Sequence, residues 1–339
     1  MSSTVLSVVT PNYNHGHLIG RAIEAVVSQS RHPDEYLILD DASTDNSLEI
    51  IDRYASKYSV IRVLRNKRNL GVLGCAKRLL AEASGDYVYC GSADDYVLPG
   101  FFESAMEMAD RYGQLGIIMG QATQVDERGQ EIKTIGIPEW SEPVHLTPER
   151  YLRDFFDVKH PGIGGGSSTV YKRSALLDAG GFRPELLSFA DTFAARAIGL
   201  KHGACYISAP CAAIYRSGDT FSGQTSMNPK RNLDIMARAA WLMRSDEFSD
   251  RFPEASVRSW ERRYRENIVG HYEKELRASI DSLAGVYGKS CPDWSTGQRV
   301  FRRCLKALLK IPIWRAKRRL QRYQADLSCY SDVDVEPGA

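Results

Sequence analysis

Two pairs of adjacent aspartates follow β-prone stretches of this sequence. The pair Asp40–Asp41 ends the apolar run "YLIL", and the pair Asp94–Asp95 comes shortly after "YVYC". Two carboxylates in contact repel by about 3 kcal/mol at a separation of about 5 Å and an effective dielectric of about 20. A divalent cation would offset this repulsion, because Mg²⁺ and Mn²⁺ bind carboxylate oxygens and commonly bridge to a substrate's phosphates. The alternative is that each pair belongs to an aspartate-rich turn that caps a helix.

Predicted strands and helices alternate over the first ninety or so residues, as the spacing of the apolar side chains indicates. This alternation predicts a parallel sheet with right-handed crossovers and helices on both faces. Open sheets of this kind bind ligands at the carboxyl ends of their strands, which here are Pro11–His17, Asp40–Asp45 and Ser92–Tyr96. We predict strands at Val5–Thr10, Tyr36–Leu39, Ile61–Leu64 and Tyr87–Cys90, and helices at Leu18–Ser30, after a cap at Ser43 or Thr44, and at Gly74–Ala83.

The rest of the chain is less regular. We predict a strand at Leu115–Gly120, a short helix at Pro148–Phe156, and a glycine-rich loop at Gly162–Ser168 that runs into a strand at Thr169–Tyr171. After about residue 226 the pattern becomes that of long helices. We therefore place a domain boundary near residue 225, with a helical region at 226–339.

Composition narrows the class of protein. The 339 residues are 43% apolar and 25% charged, which is typical of a soluble globular protein, and the net charge of +2 gives no reason to expect a nucleic-acid partner. The seven cysteines are scattered without a C-x-x-C spacing, so neither a disulfide framework nor a zinc site is indicated. The chain shows no leader sequence, and no apolar run reaches the ~18 residues of a membrane span. We expect a cytoplasmic protein.

Four segments together resemble the family 2 glycosyltransferases of GT-A fold. They read "VLSVVTPNYN", "YLILDDASTDNS", "NLGVLGCAKRLL" and "GDYVYCGSADDY", and they follow the order of the family's S-V-I-I-P-x-Y-N, D-D-G-S-T-D, N-x-G-x-x-x-A and D-x-D-D motifs. The resemblance is specific over about residues 4–100, weaker to about 222 and absent beyond. It implies a GT-A nucleotide-diphospho-sugar transferase fold, a mostly parallel central sheet flanked by helices. The donor half would be about 1–100 and the acceptor half about 101–225.

The resemblance implies roles in donor binding. Pro11, Tyr13 and Asp41 are expected to hold the nucleotide base, usually uracil, and Asn69 matches the next motif. In the helix that follows, the family often has Ala-Arg-Asn where this chain has Cys-Ala-Lys. The arginine is missing, and Lys77 or its neighbour Arg78 is expected to supply the positive charge.

The same resemblance implies a metal site at the second acidic pair. Asp94 and Asp95 match the last two acids of D-x-D-D, which contact the ribose and bind Mn²⁺ or Mg²⁺. Ser92 stands where the family often has the first acid. Two carboxylates and a diphosphate can still hold a cation.

Sugar transfer with inversion needs a base, because a carboxylate must take the proton of the acceptor hydroxyl. The family has an E-D pair after G-G-F-D. In "AGGFRPELLSFADTFAARA" the glutamate is replaced by Ala190 and the aspartate is kept as Asp191, our candidate base. The alternative is that Asp191 caps a helix at Thr192–Leu200. Arg216, in "IYRSGDTFS", matches the family's Y-R-x-H segment and could pair with the diphosphate, or it could be a surface arginine.

The C-terminal stretch "FRRCLKALLKIPIWRAKRRLQRYQ" carries nine Lys or Arg among apolar residues and a tryptophan. A basic amphipathic segment can lie in the interface of an anionic membrane. That predicts peripheral contact with the inner face of the plasma membrane, which suits a lipid-linked sugar acceptor. The alternative is a helix packed on the catalytic domain.

The sequence therefore favours an inverting, metal-dependent glycosyltransferase that moves a sugar from a nucleotide donor, first of all a UDP-sugar, to a glycan or lipid-linked acceptor in cell-surface polysaccharide synthesis. The alternative is a non-catalytic nucleotide-sugar or glycan binding module with a degenerate GT-A site. A sugar-nucleotide pyrophosphorylase would need a glycine-rich basic loop after the first strand, which "PNYNHGHL" does not provide. A dinucleotide-dependent dehydrogenase is disfavoured, because this chain lacks the glycine fingerprint of that class.

Overall fold

The computed structural model describes residues 4–113, 115–126, 128–137, 139–158, 165–215, 229–268 and 270. Within this part of the chain, ten strands form a single sheet whose main order is β3-β2-β1-β4-β9-β6-β10-β5, with β7 paired to β6 and β8 to β10. The strands are β1 Leu6–Asn12, β2 Glu35–Asp40, β3 Ile61–Arg65, β4 Tyr87–Cys90, β5 Tyr96–Val97, β6 Ile117–Val125, β7 Glu131–Ile135, β8 Val144–Leu146, β9 Thr169–Lys172 and β10 Ala204–Tyr215.

The helices connect these strands. They are α1 Gly16–Val27, α2 Ser47–Lys57, α3 Gly71–Glu82, α4 Phe101–Tyr112, α5 Pro148–Tyr151, α6 Arg173–Asp178, α7 Ala190–His202 and α8 Pro229–Arg244. A π-helical turn at Leu152–Phe156 and 3₁₀ turns at Gly166–Ser168 and Pro184–Phe189 complete the described connections. A further helix covers residues 254–268. None of these helices is both long and apolar enough to cross a membrane.

The first four strands are parallel neighbours, as the sequence predicts. β1 pairs with β2 and β4, and β2 pairs with β3, so their carboxyl ends lie along one edge of the sheet. The helix α1 returns over this sheet and buries Ile19, Ile23 and Val26, which recur at intervals of four and three. The register places Asn12 opposite Asp40, so that the loops after β1 and β2 start side by side.

The second half of the sheet mixes strand directions. β9 lies antiparallel between β4 and β6, and β10 runs parallel to β6. Because β9 is reversed, its amino end lies at the carboxyl end of β4, and the 3₁₀ turn Gly166–Ser168 that leads into β9 lies there too. β10 runs in the same direction as β4, so Tyr215 at its carboxyl end reaches the same edge. This topology brings distant segments of the sequence to one place.

A mainly aliphatic and aromatic core lies on one face of the sheet. Tyr89 of β4 packs edge-on against Phe102 of α4, with ring centres 5.0 Å apart, and both side chains are buried. The described fold is the predicted α/β class. The chain divides into two compact units, Met1–Asn228 with Arg238–Trp260, and Pro229–Ala237 with Glu261–Ala339. The boundary predicted near residue 225 lies outside the described residues and stays a prediction.

Candidate active site

The candidate site lies at the sheet edge where the carboxyl ends of β1, β2, β4 and β10 meet the turn before β9. Asp40 and Asn12 form its buried floor on the β1–β2 side. The Asn12 amide nitrogen donates to Asp40 Oδ1 at 3.0 Å and to Ser43 Oγ at 3.2 Å, while Asp40 Oδ2 accepts the Ser43 backbone N–H at 3.0 Å. Asp40 therefore fixes the loop after β2.

Asp41 is buried and fully engaged by the start of α3. Its Oδ1 accepts a hydrogen bond from the Asn66 amide at 2.6 Å and from the Leu70 backbone N–H at 2.9 Å. Its Oδ2 accepts the backbone N–H groups of Leu70 and Gly71 at 3.0 and 2.9 Å. A carboxylate at a helix N-terminus satisfies donors that the helix itself leaves unpaired. Asp41 thus anchors α3 to the end of β2, in addition to any contact with a ligand.

Pro11 and Tyr13 line the end of β1. Pro11 is half-buried and pairs in register with Leu39, whereas the Tyr13 side chain is 41% exposed and presents its ring to solvent. The next residue, Asn14, has a positive φ of 55°, and its side-chain oxygen accepts the Thr44 backbone N–H at 2.8 Å. This turn keeps the Tyr13 ring at the mouth of the site, where it could stack on a base.

Three predicted donor-binding residues lie at or near α3: Asn69, Lys77 and Arg78. Asn69 is exposed, and its Oδ1 accepts the Gly71 backbone N–H at 2.8 Å, which orders the turn that leads into the helix. Lys77 is exposed on α3, whereas Arg78 is half-buried and donates to the Asn66 side chain and to the Arg65 carbonyl at 2.9 Å. Arg78 is therefore the basic residue that the structure joins to the Asp41–Asn66 contacts.

Asp94 lies half-buried on the loop between β4 and β5. Its Oδ1 accepts a hydrogen bond from the Ser92 hydroxyl, so the residue that replaces the family's first acid orients the second. The Arg21 guanidinium donates to the Asp94 carbonyl at 3.4 Å and lies 4.5 Å from the centre of the Tyr96 ring. A side chain of α1 therefore braces this loop.

Asp95 joins three segments that are far apart in the sequence. Its Oδ1 accepts the Tyr215 backbone N–H at 2.9 Å, from the end of β10. Its Oδ2 accepts the hydroxyl of Ser167 at 2.7 Å, from the turn before β9.

Asp191 lies in the first turn of α7, where the helix dipole favours a negative charge. The helix begins at Ala190, two residues earlier than the predicted start at Thr192, and Phe189 rather than Asp191 precedes its first turn. Its Oδ1 accepts the Thr192 backbone N–H at 2.6 Å. Burial raises the pKa of Asp191 above its ordinary value, although hydrogen bonds from Thr192 and Gly166 oppose that rise. A raised pKa is typical of a carboxylate that must accept a proton.

The turn before β9 lies against Asp191 as well as Asp95. A Cβ on Gly165 would come within 3.0 Å of Asp191 Oδ2 and of Thr192 Oγ1, and the Gly166 backbone hydrogen-bonds to the same carboxylate. Only glycine fits at position 165 without displacing a neighbour. The structure therefore brings Asp95 and Asp191, predicted as a metal ligand and a base, into contact with the same turn.

Several predictions fall on residues that the structure does not describe. Arg216, the glycines at 162–164 and the basic segment at 301–324 lie outside the described residues. Their predicted roles stay predictions. Arg216 directly follows Tyr215, whose backbone N–H holds Asp95.

A divalent cation fits the chemistry of the second acidic pair. Asp94 and Asp95 offer the carboxylate oxygens that Mg²⁺ and Mn²⁺ prefer, on a partly exposed loop. In the described ranges, no cluster of three or more His, Cys, Asp or Glu side chains could enclose a metal. A cation held by these two carboxylates would take further ligands from a bound diphosphate.

Two contact residues were missed at the level of sequence. The sequence pattern marks Ser167 only as part of a glycine-rich loop, and it does not mark Asn66. The signal for Ser167 was present, because "GGGSS" places hydroxyl groups where glycine allows a close approach of the backbone. Asn66 is the first residue after strand β3, the same kind of position that Asp41 has after β2.

The sequence also matches the model of a known protein family. The model of the family described as "Glycosyl transferase family 2" matches residues 7–179 of this chain. That span is about half of the chain and covers β1 through α6, including both acidic pairs. The chain belongs to glycosyltransferase family 2, as its motifs predict.

Two relatives illustrate the extent of the sequence similarity. The uncharacterized glycosyltransferase YibD of Escherichia coli is 38% identical over 108 residues, which are 32% of this chain and 31% of that protein. The poly(ribitol-phosphate) beta-glucosyltransferase of Bacillus spizizenii is 34% identical over 95 residues, or 27% of this chain and 15% of that protein. The chain thus spans less than a third of the length of either relative.

Solved structures share the fold over a longer stretch. Residues 1–349 of S. aureus TarS, in complex with UDP-GlcNAc, superpose with a TM-score of 0.54 at 18% identity, covering 71% of this chain and 67% of that one. The mannosyltransferase PcManGT of Pyrobaculum calidifontis, in complex with GDP-Man and Mn²⁺, gives a TM-score of 0.52 at 15% identity, covering 91% of this chain and 86% of that one. These likenesses confirm the GT-A fold.

Proposed function

We propose that this protein transfers a sugar, with inversion at the anomeric carbon, from a nucleotide-diphosphate donor to a hydroxyl group of a glycan or lipid-linked acceptor in the synthesis of a cell-surface polysaccharide. A UDP-sugar is the first donor to test, since TarS was solved with UDP-GlcNAc. A GDP-sugar is the second, since PcManGT was solved with GDP-Man. The observation that carries the proposal is the contact of Asp95 and Asp191 with the same turn, Gly165–Ser167.

In this proposal the donor lies along the strand ends. The Tyr13 ring stacks on the base beside Pro11, while Asp41 and Asn69 hold the start of α3 at the rim of the base site. Lys77, exposed in the second turn of the same helix, and Arg216 supply positive charge toward the diphosphate. Asp94 and Asp95 would hold Mn²⁺ or Mg²⁺, which stabilises the negative charge of the leaving diphosphate when it is bound.

Asp191 acts as the base. The acceptor oxygen forms a bond to the anomeric carbon as the bond from that carbon to the diphosphate oxygen breaks, and the hydroxyl proton passes to the Asp191 carboxylate. The bonding electrons leave with the nucleoside diphosphate. Because burial raises the Asp191 pKa, this carboxylate is a better proton acceptor than an exposed aspartate. Alignment of the donor and acceptor supplies the rest of the acceleration.

The decisive experiment measures donor binding and turnover separately. The protein is titrated with UDP- and GDP-sugars, with and without Mn²⁺, and nucleotide release is then measured over a panel of glycan and lipid-linked acceptors. Asp191→Asn should abolish most of the release and leave donor binding intact. Glu185→Gln is the matched control, because this acid lies in the 3₁₀ turn just before α7 and pairs only weakly with Arg183, at 4.0 Å.

The outcomes separate the two functions considered. Binding of a nucleotide sugar without turnover on any acceptor would favour the non-catalytic binding module. Failure to bind any nucleotide sugar would contradict both the transferase and a nucleotide-sugar binding module. Equal nucleotide release by Asp191→Asn and the unmodified protein would contradict the role of Asp191 alone.

We propose in addition that the basic segment at 301–324 brings the protein to the inner face of an anionic membrane. Its nine Lys or Arg residues and Trp314 support this, because each basic residue near an anionic surface contributes about 1 kcal/mol. Cosedimentation with vesicles of phosphatidylglycerol should require this segment and fall at high salt. Equal sedimentation of a chain ending at residue 300 would contradict the proposal.

A further inference from the structure

The turn Gly165–Ser167 has contacts that the glycosyltransferase proposal does not by itself explain. Ser167 is 2% exposed, and its hydroxyl donates to Asp95 Oδ2 at 2.7 Å. The neighbouring residue, Gly166, hydrogen-bonds to Asp191 through its backbone. Consecutive residues of one short turn thus hold the two acids.

We propose that Ser167 is a positioning residue, which orients the Asp95 carboxylate for the donor's cation and ties that carboxylate to the turn that supports Asp191. This inference rests on the proposed function and names a side chain with no other assigned role. It makes the cation site and the base parts of one connected structure.

The geometry gives the physical reason. A carboxylate rotates freely about its last side-chain bond unless both oxygens have directional partners. In Asp95 the Tyr215 backbone N–H holds Oδ1 at 2.9 Å and the Ser167 hydroxyl holds Oδ2 at 2.7 Å. Without the hydroxyl, Oδ2 loses this directional partner, so the carboxylate is less firmly oriented toward a metal that needs near-ideal geometry.

Burial explains why the contact is specific. Ser167 lies where bulk water cannot replace its hydroxyl, and hydrogen bonds to ionised groups are stronger than neutral ones. A side chain at Gly165 would press on the base, since its Cβ would meet Asp191 Oδ2 at 3.0 Å. The turn therefore packs closely on both acids, and a shift on one side is transmitted to the other.

The test is a calorimetric titration of the full chain with UDP and with GDP, each with and without Mn²⁺. Ser167→Ala should weaken nucleotide affinity about tenfold in the presence of Mn²⁺, the effect of one lost hydrogen bond to a charged group. Affinity without the cation should stay unchanged, because Asp95 then contributes little to binding. A purely structural role would lower both affinities together.

The matched control is Ser168→Ala. Ser168 is 3% exposed in the same turn, and in the described part of the chain its side chain makes no hydrogen bond to Asp95 or Asp191. It should bind nucleotide as the unmodified protein does. If Ser167→Ala does not fold, Ser167→Cys fills the site with a slightly larger side chain and offers only a weak donor, and it should show the same cation-dependent loss.

Two results would overturn the inference, and they are distinguishable. Folded Ser167→Ala with unchanged affinity in Mn²⁺, while the unmodified protein binds in a cation-dependent manner, contradicts the role of Ser167 and leaves the proposed function standing. Absence of cation-dependent binding in the unmodified protein contradicts the metal site and this inference together.

Discussion

The two pairs of adjacent aspartates occupy similar places in the fold but use their carboxylates differently. Asp40 and Asp41 are only 3% and 2% exposed, and both oxygens of each accept hydrogen bonds from the protein. Asp94 and Asp95 are half-buried on an open loop, and they are held by a few side-chain and backbone donors. The first pair is buried in the fold, whereas the second is partly exposed on the loop after β4.

This difference changes how the first pair should be tested. Loss of nucleotide binding after removal of Asp41 would not by itself show contact with a base, since the carboxylate also anchors the start of α3. Stability and binding must therefore be measured in the same variants. We expect the two pairs to differ in both stability and binding.

The largest effect is expected on the buried side. Asp41→Ala leaves the Asn66 amide and the Leu70 and Gly71 backbone N–H groups without their acceptor, and we expect a loss of roughly 3 kcal/mol in the free energy of unfolding. Urea unfolding followed by circular dichroism measures it. The control is Asp52→Ala, which removes only an exposed ion pair to Arg65. If both variants are equally stable, the structural role assigned to Asp41 is wrong.

The open pair should show the opposite behaviour. Asp94→Asn keeps an oxygen that can accept the Ser92 hydroxyl, so the free energy of unfolding should change by less than about 0.5 kcal/mol. The variant loses the negative charge, and nucleotide affinity in Mn²⁺ should fall about tenfold, or about 1.4 kcal/mol. Titration with and without Mn²⁺ checks this result. A variant that loses stability instead of affinity would show that the two acidic pairs do not differ.

The sequence predicted the first half of the fold closely, because its information there is local. The strand Tyr87–Cys90 was predicted to the residue, and the four parallel strands follow from short apolar runs separated by amphipathic helices. The position of β9, antiparallel between β4 and β6, depends on pairing between distant segments. No local pattern in Thr169–Lys172 specifies its neighbours.

The site was predicted in its residue types and less well in its contacts. Ser43 was expected to cap the second helix, yet its hydroxyl accepts hydrogen bonds from Asn12 and Asn14 across two loops. The helix begins at Ser47, and its first turn is bonded to Asp45 at 3.0 Å. Polar side chains in loops choose partners that only the tertiary structure brings near, and the contact of Ser167 with Asp95 was hidden for the same reason.

A smaller effect tests the turn that joins the open pair to Asp191. Gly165 has an extended backbone that any residue can adopt, so Gly165→Ala acts only through its added Cβ, 3.0 Å from Asp191 Oδ2. We expect the carboxylate to shift and kcat to fall about fivefold, or about 1 kcal/mol, with donor affinity unchanged. Gly20→Ala is the control, because its Cβ would meet its nearest neighbour at an ordinary 3.7 Å. Equal kcat in both variants would separate the turn from the base.

The smallest effect concerns the pH dependence of stability. The pKa of Asp191 is raised by burial, while the charged or titratable groups around it are Arg196 on its own helix, Cys90 on β4 and Tyr171 on β9. A carboxyl whose folded pKa lies above its unfolded value of 3.8 favours the folded state when it is protonated, and that contribution is lost as the pH rises through the folded pKa.

Asparagine at this position cannot ionise, so Asp191→Asn should not undergo that loss. The stability of the variant relative to the unmodified protein should therefore increase as the pH rises from below 3.8 toward neutrality, whatever its constant offset from changed hydrogen bonds. Thermal unfolding at a series of pH values measures this difference, and Asp178→Asn should show the reverse slope, since the Lys201 ammonium lowers the Asp178 pKa. Parallel pH profiles for the unmodified protein and Asp191→Asn would mean that Asp191 is as well solvated as a surface carboxylate. The Asp191 carboxylate would then accept a proton no more strongly than the exposed aspartates of the chain do.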